Sequence, residues 1–279
     1  MMSQKQRAND KMGLEEKHRK LKNYLSTMDG AVVAFSGGVD STLLLKVAQE
    51  VLSDQVLAVT STSETIPERE LDRAKELAED IGAKHKTIYT EEILQEEFRK
   101  NPPNRCYYCK QELFSHLWEI AKSYGFSYVL DGSNYDDGGD FRPGLEAAAK
   151  LQVQSPLKET GFTKEDVRQL SKELGLPTWN KPAMACLSSR FPYGEELTRE
   201  KIDQVEKGED VLDELGFSQF RLRYHGGMAR LELSKEEFDI AIKHSEYISQ
   251  ELKNLGFQKV TLDLEGYRTG SMNEELQSS

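Results

Sequence analysis

The sequence predicts an α/β protein, a parallel sheet covered by helices on both faces and followed by a small C-terminal α/β module. Three observations carry this. From Ala31 to about residue 134, short valine-rich runs alternate with helix-length amphipathic stretches, the signature of right-handed crossovers in a parallel sheet. The first strand-to-helix junction is a Gly-Gly turn, Ser36-Gly37-Gly38-Val39-Asp40-Ser41. Beyond Phe191 the texture changes to two similar units.

Taken in order, residues 13–28 read as a helix, AVVAF from Ala31 as a buried strand and DSTLLLKVAQEVL as the helix after it. VLAVTSTS is the second strand, PERELDRAKELAEDIG a helix with Pro67 in its first turn, and KHKTIYT the third strand. From Cys106 to Tyr124 a helix carries Leu113, Leu117, Ala121 and Tyr124 on one stripe, and FSYVLDGSN is a further strand entering a Gly- and Asp-rich loop. Ligands of such sheets bind at the carboxyl ends of the strands. In the last third, DVLDELGFSQFRLR and QELKNLGFQKVTLD each read helix, Leu-Gly-Phe, strand, with Leu215 and Leu255 equivalent. They flank the strand MARLEL and a helix that a Ser234 to Glu237 capping box would open. The expected domains are 1–190 and 191–279. The loops 132–142 and around Pro102 and Pro103 are of the kind that closes over a ligand.

Composition narrows the function classes. The chain has 279 residues, a net charge of -11 and no run of 18 apolar residues to span a bilayer. Its N-terminus is charged throughout and lacks the apolar segment of a secretory leader, so a cytoplasmic protein without a membrane partner is expected. Residues 191–279 hold 11 Lys plus Arg against 19 Asp plus Glu, so this module carries -8 of the total. That distribution argues against a nucleic-acid partner, which demands a basic footprint. Three cysteines make no disulfide framework and point to metal, redox or sulfur chemistry.

Ser36 to Ser41 lies between a buried strand and a helix, where converging amides, the positive helix end and serine hydroxyls make a phosphate cradle. It is neither GxxxxGK[ST] nor GxGxxG. The plain alternative is a tight turn capped by Asp40 and Ser41. Cys106 and Cys109 form a Cys-x-x-Cys at a helix start. They suit a metal or a dithiol, or they fall on the buried stripe. Zinc would need a fourth ligand, and His18, His85, His116, His225 and His244 have no finger-like spacing. With Cys186, three thiolates would leave one iron of a [4Fe-4S] cluster without a protein ligand and able to bind sulfide. Lys181 and Arg190 bracket Cys186, Ser188 and Ser189 follow it, and cations favour a thiolate nucleophile.

SGGVDS after a first strand resembles the pyrophosphate-binding loop of the N-type ATP pyrophosphatases, with their Rossmann-like, adenine nucleotide alpha hydrolase-like PP-loop fold. The resemblance implies cleavage of ATP between the α and β phosphates. Pyrophosphate would rest on Ser36, Gly37, Gly38, Val39, Asp40 and Ser41, with Mg²⁺ approached by Asp40 and adenosine met by Thr60 and Ser61. SGGVDS, LDGSN, FRPGL and above all CLSSRFPYG at 186–194 are together similar to the pyridinium-3,5-biscarboxylic acid mononucleotide sulfurtransferases, the LarE family. The likeness runs from about residue 15 to 272, with FRLRYH and TLDLEGYRTGSMN as its last parts.

That family implies adenylylation of a substrate carboxylate and its conversion to a thiocarboxylate, a step towards the nickel-pincer cofactor of lactate racemase. Sulfur comes either from a [4Fe-4S] cluster held by three cysteines, here Cys106, Cys109 and Cys186, or from a single sacrificial cysteine, here Cys186. Catalytic Cys186, Asp40 and Arg190 follow from the resemblance. Arg221 and Arg223, alternating on one strand, would grip the substrate phosphate, and Glu209 takes a place near substrate or metal. Partners expected are the small-molecule pyridinium mononucleotide and further copies of the chain. An RNA thiolase is the main rival, and the acidic C-terminal module disfavours it. An amidotransferase or NAD synthetase would need an ammonia source, and a degenerate ATP-binding regulator would have lost part of SGGVDS.

Overall fold

The structure is a computed structural model that describes residues 13–139, 143–182 and 186–268. Phe141 and Arg142 of FRPGL, Met184 and Ala185 before Cys186, and Thr269 to Asn273 of the C-terminal signature lie outside the described residues. The chain divides into two compact units. The first comprises Met1–Ser63, Glu68–Glu92 and Asn104–Met184, the second Glu64–Pro67, Ile93–Pro103 and Ala185–Ser279. Cys186 to Arg190, counted with the first domain on sequence grounds, fold with the second unit, where Leu187 N–H donates to Thr65 O and Arg190 pairs with Glu209. Among the described residues no helix is long and apolar enough to cross a membrane.

In the first unit, α1 (Leu14–Leu25) leads into β1 (Ala31–Ala34), α2 (Val39–Leu52), β2 (Val56–Thr62), α3 (Glu68–Ile81) and β3 (Lys84–Tyr89). Then follow α4 (Arg105–Tyr124), β4 (Tyr128–Leu130), α5 (Pro143–Lys150) and α6 (Lys164–Glu173). The four strands are all parallel in the order β3-β2-β1-β4. The period of two along a strand sorts the side chains into two cores. Ala31, Val33, Val56 and Ala58 pack on one face with α1, α2, α3 and α6, while Val32, Leu57 and Val59 pack on the other with Leu113, Phe114 and Leu117 of α4. A strand buried on both faces has no polar side, which is why AVVA is continuously apolar. Tyr124 departs from its expected stripe and is exposed, because Gly125 in the left-handed region (φ 73) ends α4 there.

The strand order reverses at β1, with β2 on one side and β4 on the other. The carboxyl ends of β1 and β4 therefore define the crevice at which this architecture takes a ligand.

The second unit holds α7 (Arg199–Glu214), β5 (Phe220–His225), β6 (Met228–Leu233), α8 (Phe238–Lys243), α9 (Ser245–Asn254) and β7 (Lys259–Leu262). Both Leu-Gly-Phe segments end a helix in the same way. Gly216 and Gly256 have φ of 83 and 101, and Phe217 and Phe257 N–H donate back to Leu212 O and Leu252 O at 3.2 and 3.1 Å. Both phenylalanines are buried. The repeat stops there, since β5 runs antiparallel to the central β6 and β7 parallel to it. The Ser234 to Glu237 capping box does not form. A short turn precedes α8, and the Glu237 carboxylate accepts instead from the N–H and hydroxyl of Ser218.

Candidate functional site

The loop after β1 is organised by its own residues. Gly37 has φ +65, and a Cβ there would lie 3.3 Å from Cα and Cβ of Ala74, so the turn demands glycine twice over. Ser36 Oγ and Ser41 Oγ lie 3.1 Å apart, Ser36 N–H donates to Ser41 Oγ at 3.3 Å, and Gly38 N–H approaches Ser36 Oγ at 3.4 Å. Hydroxyls and the Gly38 amide thus converge at the N-terminus of α2, whose first amides have no intrahelical acceptor. Gly132, just beyond β4, presses its backbone on this point. A Cβ there would meet Ser41 N at 2.9 Å.

Three side chains from distant segments complete the loop. Asp40 Oδ1 accepts from Asn134 Nδ2 at 3.0 Å and its Oδ2 from Lys164 Nζ at 2.5 Å. Lys181 Nζ donates to Gly37 O at 3.2 Å and to Glu70 Oε2 at 2.7 Å. Burial alone would raise the Glu70 pKa, but the hydrogen bond and charge of Lys181, with Arg73, hold it below the ordinary carboxylate value. Sequence reading missed Asn134 and Lys164, and it set Lys181 beside Cys186 rather than at this loop. One signal was available, because a lysine in the first turn of α6 opposes the helix dipole and so calls for a carboxylate.

Thr60 departs from its expected role. It is buried, its hydroxyl donates to Phe35 O at 2.8 Å, and it accepts from His85 Nε2 at 2.8 Å, so it ties the sheet together below the crevice. Ser61, next along β2, is half-buried.

In the second unit, Cys186 is half-buried and precedes a one-turn helix, Leu187–Arg190. Arg190 is 1% exposed. Its Nε and Nη2 donate to the two oxygens of Glu209 at 2.7 and 3.0 Å, and its Nη1 to Ser189 Oγ at 2.9 Å. Leu222 N–H adds a further bond to Glu209 Oε1 at 3.1 Å. Burial would raise the Glu209 pKa, but the Arg190 charge and hydrogen bonds keep it depressed. Arg190, expected as a catalytic cation, and Glu209, expected near substrate or metal, are here paired with each other, and the pair fixes the Cys186 turn on α7 and β5. Nor is Lys181 a cation reserved for Cys186, being held by Glu70.

Arg221 and Arg223 do share a face of β5. Arg223 is bound to Glu232 Oε2 at 2.8 Å and Ser189 O at 2.5 Å, and Arg221 stacks on Tyr267 at 5.1 Å. Burial and the nearby Arg190 lower the Arg221 pKa, a crowding of cations that an anion would relieve.

Cys106 and Cys109 lie in the first two turns of α4, with Cys106 exposed rather than on the buried stripe. They belong to the first unit and Cys186 to the second. Among the described residues no three His, Cys, Asp or Glu side chains gather so as to hold a metal ion. Mg²⁺ is different. It needs only one or two carboxylates beside phosphate oxygens and water, and Asp40 can supply one if Lys164 yields Oδ2.

The NAD synthase family matches residues 14–112. An uncharacterised protein of Synechocystis sp. is 44% identical over 94% of this chain and 99% of its own length. The pyridinium-3,5-bisthiocarboxylic acid mononucleotide synthase of Lactiplantibacillus plantarum is 42% identical, covering 90% of this chain and 92% of the relative. An uncharacterised protein of Methanocaldococcus jannaschii is 31% identical over 85% and 90% of the two chains.

Proposed function

The chain belongs to the family of the pyridinium-3,5-bisthiocarboxylic acid mononucleotide synthases, and from that premise we propose that it is an ATP-dependent sulfurtransferase acting on a carboxylate of pyridinium-3,5-biscarboxylic acid mononucleotide. The observation that carries this is the pre-formed cradle of Ser36, Gly38 and Ser41 at the switch point of the parallel sheet. Pyrophosphate of ATP rests there, and Asp40 would hold a Mg²⁺ ion, which would supply neutralising charge beside the phosphates. The substrate carboxylate attacks the α phosphorus, pyrophosphate leaves, and an acyl-adenylate remains.

The Cys186 thiolate then attacks the acyl carbon and AMP leaves, giving a thioester. Removal of the Cys186 α proton breaks the Cβ–S bond, so sulfur stays on the product as a thiocarboxylate and the cysteine becomes dehydroalanine. Arg221 and Arg223 face the substrate phosphate. A second reading, in which the three cysteines carry sulfide on a cluster, is favoured by Cys106 and Cys109 standing one turn apart with Cys106 open to solvent. Intact mass after one turnover tests the first reading, with a loss of one H₂S expected and an unchanged mass excluding it. Iron bound to anaerobically prepared protein, lost in Cys106→Ala, would establish the second. AMP release dependent on RNA and not on the pyridinium nucleotide would reassign the chain to the thiolases.

A further inference from the structure

Lys181 and the phosphate donors occupy opposite sides of one peptide bond. In a trans peptide the carbonyl of Gly37 and the amide of Gly38 point in opposite directions. The carbonyl is held by Lys181 Nζ at 3.2 Å, and the amide faces Ser36 Oγ, itself 3.1 Å from Ser41 Oγ. The three anion donors therefore lie together on the side away from the ammonium. Lys181 is in turn fixed by Glu70 at 2.7 Å, a residue with an 8% exposed side chain that also accepts from Arg73 Nη1 at 2.8 Å. Glu70 sits in the first turn of α3, and Ala74 of the same helix walls in Gly37.

We infer that Lys181 and Glu70 form a positioning brace that sets the Gly37–Gly38 peptide with its amide towards the pyrophosphate, and that Lys181 is not itself a phosphate ligand. Without the brace this peptide can turn over, since glycine on both sides puts little steric limit on either orientation. The turned peptide would present a carbonyl oxygen to the anion. The brace rests on the reading of the loop as a pyrophosphate cradle, and the test separates the two.

Binding of inorganic pyrophosphate with Mg²⁺, and of AMP, is measured by calorimetry on the full chain and on Glu70→Gln, Lys181→Met and Lys181→Arg, with thermal melting as the check of folding. A direct ligand restrained by Glu70 would bind pyrophosphate more tightly in Glu70→Gln, which removes a negative charge. A brace predicts the reverse, a several-fold weakening in Glu70→Gln and about tenfold in Lys181→Met, the scale of one charged hydrogen bond. Lys181→Arg should recover part of the loss, and AMP affinity should stay unchanged throughout. Equal or tighter pyrophosphate binding in Glu70→Gln, or a parallel loss of AMP, overturns the brace. Failure of the unsubstituted chain to bind pyrophosphate overturns the cradle itself and the brace with it.

Discussion

Arg190 and Glu209 form a bidentate ion pair with each side chain only 1% exposed. A buried pair of this kind stabilises mainly by the penalty for breaking it, because a lone charge is left without water. Arg190→Met and Glu209→Met should each cost ~3–5 kcal/mol, while the double substitution Arg190→Met with Glu209→Met should cost much less than their sum. Urea unfolding of the three variants checks this, and additive losses would contradict it.

The same pair gives a pH dependence. The Glu209 pKa is held below its ordinary 4.5 in the folded chain, so the unfolded chain binds the proton more readily. The pair's contribution is thus complete above about pH 4.5 and is lost as pH falls through the folded value. The stability difference between the unsubstituted chain and Glu209→Gln should be flat from pH 7 to 5 and shrink below that. A difference that grows on acidification would contradict the sign.

Gly208 lies inside α7, where alanine ordinarily stabilises a helix by about 1 kcal/mol. Here a Cβ would lie 2.5 Å from Leu222 Cδ1 and 3.0 Å from Leu252 Cδ2, so Gly208→Ala should destabilise by ~1–3 kcal/mol. The thermal midpoint reads the sign directly.

Asp40 is joined to Lys164 and Asn134 and is the candidate carboxylate for Mg²⁺. Asp40→Asn should lower AMP formation about 100-fold, the scale of one preorganised electrostatic group, while the far-ultraviolet spectrum stays unchanged. Activity within threefold of the original would remove Asp40 from the site.

Cys186→Ala should separate the two halves of the reaction. Exchange of labelled pyrophosphate into ATP, driven by the substrate carboxylate, should persist, while thiocarboxylate product should vanish. Loss of both activities would place Cys186 in adenylylation instead.

The sequence by itself determined what depends on short-range geometry. A Gly-Gly turn between an apolar run and a helix start brings hydroxyls and amides together because they are supplied by six consecutive residues, Ser36 to Ser41. Leu-Gly-Phe after a helix forms the same C-terminal cap at Gly216 and Gly256 because the bonds span only a few residues. The parallel direction of β1 to β4 followed from the alternation of strands and helices, whereas the strand order and the opposed directions of β5 and β7 are encoded by no local signal. Tertiary structure alone decided which charges meet. Lys164 finds Asp40 124 residues away, and Lys181 finds Gly37 144 residues away. Arg190, four residues after a reactive-looking cysteine in sequence, turns inward to Glu209. A charge is inexpensive to bury only where an opposite charge is already waiting, and that meeting is fixed by how the helices pack on the sheet rather than by the residues beside it.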